Sequence, residues 1–224
     1  MPSPATIVVG LRSIANGGIV VAGAWHLAVL VPCVALIRGW RPRQTLAAAL
    51  LAAPVVSVAL FAFRSGNPFN GILFAALALA MLGLAARLQR RPVERGGTAM
   101  AIAAGFLIAF AWAYPHFLEA RSPAVYLVAA PLGLIPCPTL ALVIGLTLLA
   151  GGFGSRAWSL LLVAAGLFYG VFGVARLGVS LDLVLVAGAL CLLVLLGRRR
   201  SAGRASPAAF ERGRFAVSLR DKEA

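Results

Sequence analysis

The stretch LGLIPCPTLALVIG, Leu132–Gly145, places two prolines around one cysteine within an apolar segment. Proline lacks a backbone N–H group and breaks the interior of a helix. Together with Pro131, these prolines exclude one continuous helix over the apolar segment Pro123–Ala150, which is longer than a plain bilayer crossing needs. We therefore predict an irregular first half, followed by a short half-helix that begins at Pro138 with Cys137 at its cap position.

The composition around this stretch is that of a membrane protein. The chain is 62% hydrophobic and 12% charged, with a mean hydropathy of +0.98, whereas soluble domains average about 45–50% apolar and about 25% charged residues. The net charge of +14 does not indicate nucleic-acid binding, because the basic residues lie between apolar segments and not on one polar face. The expected partner is the lipid bilayer.

Seven apolar segments have about the length that a spanning helix requires, which is about 17–25 residues. The predicted fold class is therefore all-α, a polytopic membrane helix bundle with seven spans, of which the fifth is broken by proline. The segments are Ile14–Ile37, Thr45–Phe63, Asn70–Ala86, Thr98–Leu118, Pro123–Ala150, Ser155–Val174 and Leu181–Gly197.

The arginines predict the orientation, since cytoplasmic loops carry an excess of Lys and Arg. With seven spans, sixteen of the twenty basic residues fall on one side and four on the other. If the fifth segment were a re-entrant loop, the basic C-terminus would move to the side with few basic residues, and this asymmetry would largely vanish. We therefore predict that the fifth segment crosses, with the N-terminus outside and the C-terminus cytoplasmic.

The predicted domain organisation has three parts. Residues 1–13 form an external N-terminal segment, 14–200 the seven-helix transmembrane domain, and 201–224 a basic cytoplasmic tail. The tail is polar and rich in Ser, Gly and Ala, a composition typical of disorder.

Polar residues gather toward the predicted outer side, which favours an outward-facing pit above the Pro136–Pro138 helix break. Discontinuous helices of this kind build substrate sites in transporters. No Asp or Glu falls in the centre of a predicted span, so carboxylate-driven proton transport is not favoured. The candidate solute-binding residues are Cys137, Thr139, Tyr114, His116, Asn67 and Asn16.

A thiol or metal role is the second hypothesis for the same region. Each of the three cysteines lies in an apolar run without CxxC spacing, so neither a disulfide framework nor a zinc knuckle is predicted. His26 is the one other ionisable side chain deep in a predicted span. Cys137 with His26 or Cys191 could hold a soft ion such as Cu(I) or Zn, or cycle its redox state.

The segments APLGLIPCPTLALVIGLTLL and GVSLDLVLVAGALCLLVLLG resemble a family of bacterial multi-pass membrane proteins classed as a domain of unknown function. The matching residues are Tyr114-Pro115, Pro131-Leu132-Gly133, Pro136-Cys137-Pro138-Thr139, Asn16 and Asn67-Pro68. The chain departs from the family at Val58-Ala59, where members carry a Tyr-His pair, and in the first span, where they carry Trp-Pro. The resemblance implies a similar fold in a bacterial cytoplasmic membrane and no established activity.

Three hypotheses about function follow. The first is binding or transport of a small solute or ion through the outward-facing pit. The second is thiol or soft-metal handling, and the third is an assembly or scaffold subunit without a site. No catalytic constellation or cofactor is predicted, and an enzymatic role is not favoured.

Overall fold

The computed structural model describes residues 3–119 and 122–199, and the regular structure of this part is helical apart from one isolated bridge between Arg43 and Pro92. The predicted tail, 201–224, lies outside the described residues. Short 3₁₀ turns cover Pro123–Val125, Gly151–Gly154 and Ser180–Asp182. The α-helices are α1 (Pro4–Gly17), α2 (Ile19–Ile37), α3 (Gln44–Arg64), α4 (Pro68–Ala86), α5 (Thr98–Trp112), α6 (Tyr126–Ala129), α7 (Pro136–Leu149), α8 (Arg156–Leu177) and α9 (183–199).

Five of these helices are long and apolar enough to cross a bilayer. They correspond to α2, α3, α4, α8 and the segment Ser180–Arg199 that contains α9. The helices α5 and α7 are apolar but shorter, at 15 and 14 residues. The described part of the chain therefore has the all-α architecture of a multi-pass membrane protein.

Several helix bounds differ from the predicted ones. The first predicted segment contains the end of α1 and all of α2, which meet at Gly18. Packing accounts for this glycine, because an added Cβ would come within 2.6 Å of Leu134. The fourth predicted span ends as a helix at Trp112 and not at Leu118, and 113–119 form a non-helical connection.

The start of α7 also differs from the prediction, because the helix begins at Pro136 and not at Pro138. Cys137 therefore lies in the first turn, and Ile135 is the N-cap residue, with φ −125° and ψ 157°. A residue before proline is pushed toward this extended conformation. The amides that Pro136 and Pro138 lack belong to the first four of the helix, which have no acceptor within it. Both prolines are therefore compatible with the first turn.

The helix α7 occupies the centre of the bundle. Every residue of the stretch 131–145 is buried, and α7 packs against α5, α8 and α3. A helix that is apolar on all faces is expected to be surrounded by protein. The stretch that contains the two prolines therefore lies inside the bundle.

Basic segments that are far apart in sequence meet at one end of the bundle. The amide of Gln44 donates to the Arg91 carbonyl at 3.0 Å, which joins the α2–α3 connection to the α4–α5 connection. The Arg199 guanidinium donates to the Gly151 carbonyl. A Cβ on Gly154 would lie 3.4 Å from Arg91 and 3.6 Å from Arg199. The α2–α3 connection, the α4–α5 connection, the turn after α7 and the described end of α9 thus lie together, as the arginine count predicted for one side of the membrane.

Candidate functional site

A buried carboxylate, Asp182, lies at the end of the bundle away from the basic segments. Its side chain is 1% exposed. The Tyr114 hydroxyl donates to Oδ1 at 3.1 Å, and the Cys137 thiol donates to Oδ2 at 3.1 Å. These three residues are called the Asp182 cluster below.

Three separate elements supply the cluster. Asp182 ends the 3₁₀ turn that precedes α9, and Cys137 is the second residue of α7. Tyr114 lies in the connection after α5, where its ring packs edge-on against Phe110, with ring centroids 5.3 Å apart, and stacks on Phe117 at 6.2 Å. The cluster therefore depends on the relative positions of α5, α7 and α9.

The close approach of α8 to α9 positions the carboxylate. The glycines Gly166, Gly170 and Gly173 lie on one face of α8, and α9 packs against this face. Small residues of this kind let two membrane helices approach closely. A Cβ on Gly173 would meet Asp182 Oδ2 at 1.8 Å, so the carboxylate fills the space left by the missing side chain.

A second buried polar pair lies beside the cluster. The Tyr169 hydroxyl donates to Asn70 Oδ1 at 3.0 Å, and both residues are buried. Tyr169 precedes Gly173 by four residues and so shares its face of α8. The pair therefore lies about one helical turn from Gly173, against which Asp182 packs.

The cluster has no cationic partner within residues 3–119 and 122–199. There, no arginine forms an ion pair with Asp182, whose hydrogen-bond donors are neutral groups. Burial of an isolated charge is costly unless a proton or a counter-charge neutralises it. The chemistry that fits such a carboxylate is the binding of a proton or a small cation.

The start of α7 is poorly suited to an anion. A helix N-terminus attracts anions through its free backbone amides, but Pro136 and Pro138 remove two of these donors. The Asp182 carboxylate accepts a hydrogen bond from Cys137, and its negative charge would repel any anion bound there.

The side chain of Thr139, which was predicted to bind solute, forms hydrogen bonds with the backbone. Its hydroxyl donates to the Ile135 carbonyl at 2.8 Å and accepts from the Gly133 amide at 3.0 Å. The side chain is fully buried. Thr139 therefore holds the turn that precedes α7 and leaves little hydrogen-bonding capacity for a ligand.

Asn16 forms hydrogen bonds with the 113–119 connection, which contains Tyr114. Its amide nitrogen donates to the Phe117 carbonyl at 3.1 Å, and its amide oxygen accepts from the Glu119 amide at 2.9 Å. The Tyr126 hydroxyl donates to the Leu118 carbonyl in the same connection. Asn16 therefore lies at the same end of the bundle as the cluster, and its contacts hold the 113–119 connection.

The other two outer candidates have different surroundings. Asn67 caps α4 by accepting from the Asn70 amide at 3.1 Å. His116 lies in the 113–119 connection, half-buried, with its ring centroid 6.4 Å from that of Tyr114. His116 is thus adjacent to the cluster, whereas Asn67 bonds to Asn70, whose side chain accepts from Tyr169.

His26 acts as a brace between α2 and α5. One imidazole nitrogen lies 2.8 Å from the Ala22 carbonyl oxygen and the other 2.9 Å from the Trp112 carbonyl oxygen. Its ring also packs edge-on against the Trp112 ring, with centroids 4.7 Å apart. Both nitrogens face carbonyl oxygens, of which a neutral imidazole can donate to one, and the predicted pairing of His26 with Cys137 is not among the hydrogen bonds of either residue.

The residues described by the structure hold no group of three or more His, Cys, Asp or Glu that could bind a metal ion. Cys191 lies nine residues beyond Asp182, roughly 13 Å farther along the helix axis. Closed zinc sites need four ligands, and catalytic sites three protein ligands and a water. The Asp182 cluster offers one thiol, one carboxylate and one phenol, a set that does not fit the soft-metal hypothesis.

Sequence reasoning missed Asp182 as the partner of Cys137, and it did not favour a carboxylate-driven role because Asp182 lies at the start of a predicted span and not in its centre. The signal was present as an aspartate at the start of an apolar span that follows a helix with glycines at 166, 170 and 173. No family model matches the chain, and neither a curated protein nor a solved structure matches it. The geometry of the cluster therefore carries the functional argument.

Proposed function

We propose that this membrane protein binds a small solute or ion, and moves it, through an outward-facing site at the start of α7. Within that class we assign a small cation or a proton as the bound species, with the Asp182 carboxylate as the charged group. Cys137 and Tyr114 hold the carboxylate in place. Tyr169 and Asn70 extend the polar surface along α8 and α4.

The observation that carries the proposal is a carboxylate that is 1% exposed and has two neutral donors but, within residues 3–119 and 122–199, no cation. Ionisable groups inside membrane proteins commonly mark the pathways of protons and cations. A purely structural role would be served as well by an uncharged side chain, because a buried charge costs free energy that a neutral hydrogen-bonding group does not. The charge itself is therefore best explained by an exchangeable positive partner.

The proposed topology has seven spans, with the N-terminus outside and the C-terminus in the cytoplasm of a bacterial cell. Five spans are the long helices, and α5 and α7 are completed by the irregular segments 113–119 and 123–135. At about 1.5 Å per residue, α5 and α7 alone span only about 21–23 Å of a hydrocarbon core of about 30 Å. Non-helical backbone at such depth needs protein or water around it. Under this topology the Asp182 cluster faces the outer side.

Ion movement in proteoliposomes tests the proposal. Vesicles that contain the purified protein and a pH-sensitive dye are exposed to a proton gradient, or to Na⁺, K⁺, Li⁺ or methylammonium gradients. We expect at least one of these to give a signal that Asp182→Asn reduces at least tenfold. Glu119→Gln is the matched control, because it makes the same chemical change at an exposed carboxylate outside the cluster.

Three results would reject the proposal. A wild-type signal that persists in Asp182→Asn would show that the carboxylate is not the site. Absence of any signal with every probe, together with unchanged thermal stability in each salt, would favour a scaffold subunit. Copper or zinc that is lost with Cys137→Ala would favour the thiol and metal hypothesis instead. The family resemblance carried by Pro136-Cys137-Pro138-Thr139 remains a proposal beside this one.

A further inference from the structure

An apolar groove lies at the basic end of the bundle, far from the Asp182 cluster. Its volume is about 580 Å³, which is within the range of about 300–1,000 Å³ that is usual for ligand-binding pockets. Its walls come from α2, α3 and the end of α7, and include Pro32, Cys33, Pro54 and Leu149. The groove therefore lies between helices and not on the surface of a single one.

The loose packing of α2 accounts for the groove. Of the five long apolar helices described, α2 has the smallest buried share. Small residues, Ala28 on α2 and Ala53 on α3, line the gap and leave it unfilled. Lipid that enters between two spanning helices would meet only apolar side chains along this length.

The groove has a cationic end. Arg41 and Arg95 both line it, and both are exposed. Within residues 3–119 and 122–199 neither guanidinium forms an ion pair or a side-chain hydrogen bond, and the one ion pair at this end joins Arg91 to Glu94 at 3.4 Å. Trp40, a residue type that favours the membrane–water interface, also lines the groove.

We propose that the groove is a binding site for one anionic phospholipid of the leaflet at the basic end. One acyl chain lies between α2 and α3, and the phosphate of the headgroup is bound by Arg41 and Arg95. Basic pockets between membrane helices are known to bind anionic headgroups. This site is independent of the function proposed for the Asp182 cluster.

The positive charge at the mouth of the groove favours an anionic lipid over the C-terminal tail, a second copy of the chain or a neutral lipid. The C-terminal tail, residues 201–224, carries Arg204, Arg212, Arg214, Arg220 and Lys222 against Glu211, Asp221 and Glu223, so its net positive charge disfavours a mouth that is already positive. A second copy of the chain would bring the same basic end to the groove. A zwitterionic phospholipid also presents a phosphate, but its choline group carries a positive charge that offsets it, so the two guanidinium groups attract it less than an anionic lipid.

Native mass spectrometry of the purified full chain tests the site, with phosphatidylglycerol as the probe and phosphatidylcholine with the same acyl chains as its neutral match. Each basic residue near a membrane surface contributes about fivefold to the binding of anionic lipid. We expect Arg41→Gln with Arg95→Gln to weaken phosphatidylglycerol binding about 25-fold and phosphatidylcholine binding by a much smaller factor, because choline offsets the charge of its phosphate. The control is Arg87→Gln with Arg90→Gln, which removes the same charge at the same end outside the groove.

A filling variant tests the acyl-chain part. Ala53 is exposed toward the groove, so Ala53→Trp should occupy the space and reduce the binding of both lipids at least tenfold without changing the charge. Equal binding of the two lipids by the wild type would overturn the proposal, as would equal losses in the arginine pair and its control. The proposal would also be overturned if Ala53→Trp still bound phosphatidylglycerol, or if a dimer appeared in place of the lipid adduct.

Discussion

The carboxylate of Asp182 occupies the space that a side chain at residue 173 would fill. A Cβ on Gly173 would lie 1.8 Å from Oδ2, far inside any contact distance. The glycine on α8 and the aspartate that precedes α9 are therefore a matched pair, and the hydrogen bonds to Tyr114 and Cys137 depend on that match.

Gly173→Ala should displace the carboxylate and destabilise the protein. Forcing a methyl group into a packed site costs about 1–3 kcal/mol, and the two hydrogen bonds would be strained as well. Thermal unfolding of the purified protein in detergent measures the effect. Gly83→Ala on α4 is the control, since an added methyl there meets nothing within 4 Å. Equal stability of the two variants would contradict the pairing of Gly173 with Asp182.

Asp182→Asn separates a functional role from a structural one. The amide has the same shape and still accepts from Tyr114, and it removes a buried charge. We expect the free energy of unfolding to stay within about 1 kcal/mol of wild type or to rise, because uncharged replacements of buried ions are often neutral or stabilising. Asp182→Ala, in contrast, should lose about 1–3 kcal/mol by leaving buried donors without an acceptor. A loss in Asp182→Asn as large as that in Asp182→Ala would favour a structural carboxylate.

Reporter fusions test the topology. Fusions after Arg43, Arg91 and Arg200 should report the cytoplasm, and a fusion near Arg121 should report the outside, because basic loops remain on the cytoplasmic side. The contacts that join Gln44 to Arg91 and Arg199 to Gly151 support a common side for these segments. An external C-terminus would contradict seven spans and revive the re-entrant loop.

His26→Leu should destabilise the junction of α2 and α5. The Trp112 carbonyl would lose its contact with the imidazole, and an unsatisfied buried polar group costs about 1–3 kcal/mol. Thermal unfolding again measures the loss. His116→Leu serves as the control, because within the described residues the His116 side chain makes no hydrogen bond. A smaller effect at His26 than at His116 would contradict the bracing role.

The class of the protein and the grouping of its basic segments follow from local composition, so they could be predicted from the sequence. Apolar runs define membrane helices wherever they occur, and the arginines mark the connections between them. The predicted start of α7 was wrong by two residues, because the prediction placed both prolines before or at the first helical position. The first turn in fact tolerates both, since its amides have no acceptor within the helix.

The partners of the polar side chains could not be predicted. Asp182 and Cys137 are 45 residues apart in sequence, and their contact depends on how α8 and α9 pack. Thr139 and Asn16 were expected to face a solute, but they bond to carbonyls and amides that the non-helical connections leave free. A sequence shows which side chains are polar, but not which backbone groups the tertiary structure leaves unpaired.

External labelling of Cys137 tests the central claim most directly, which is that the Asp182 cluster is reached from the outside. In a variant that retains only this cysteine, with Cys33 and Cys191 replaced by Ala, a small membrane-impermeant thiol reagent is applied to intact cells. We predict measurable labelling, faster with a cationic reagent than with an anionic one of similar size, and a charge preference that disappears in Asp182→Asn. If Cys137 reacts only after denaturation, the cluster is closed to the outside and the site proposed here does not exist.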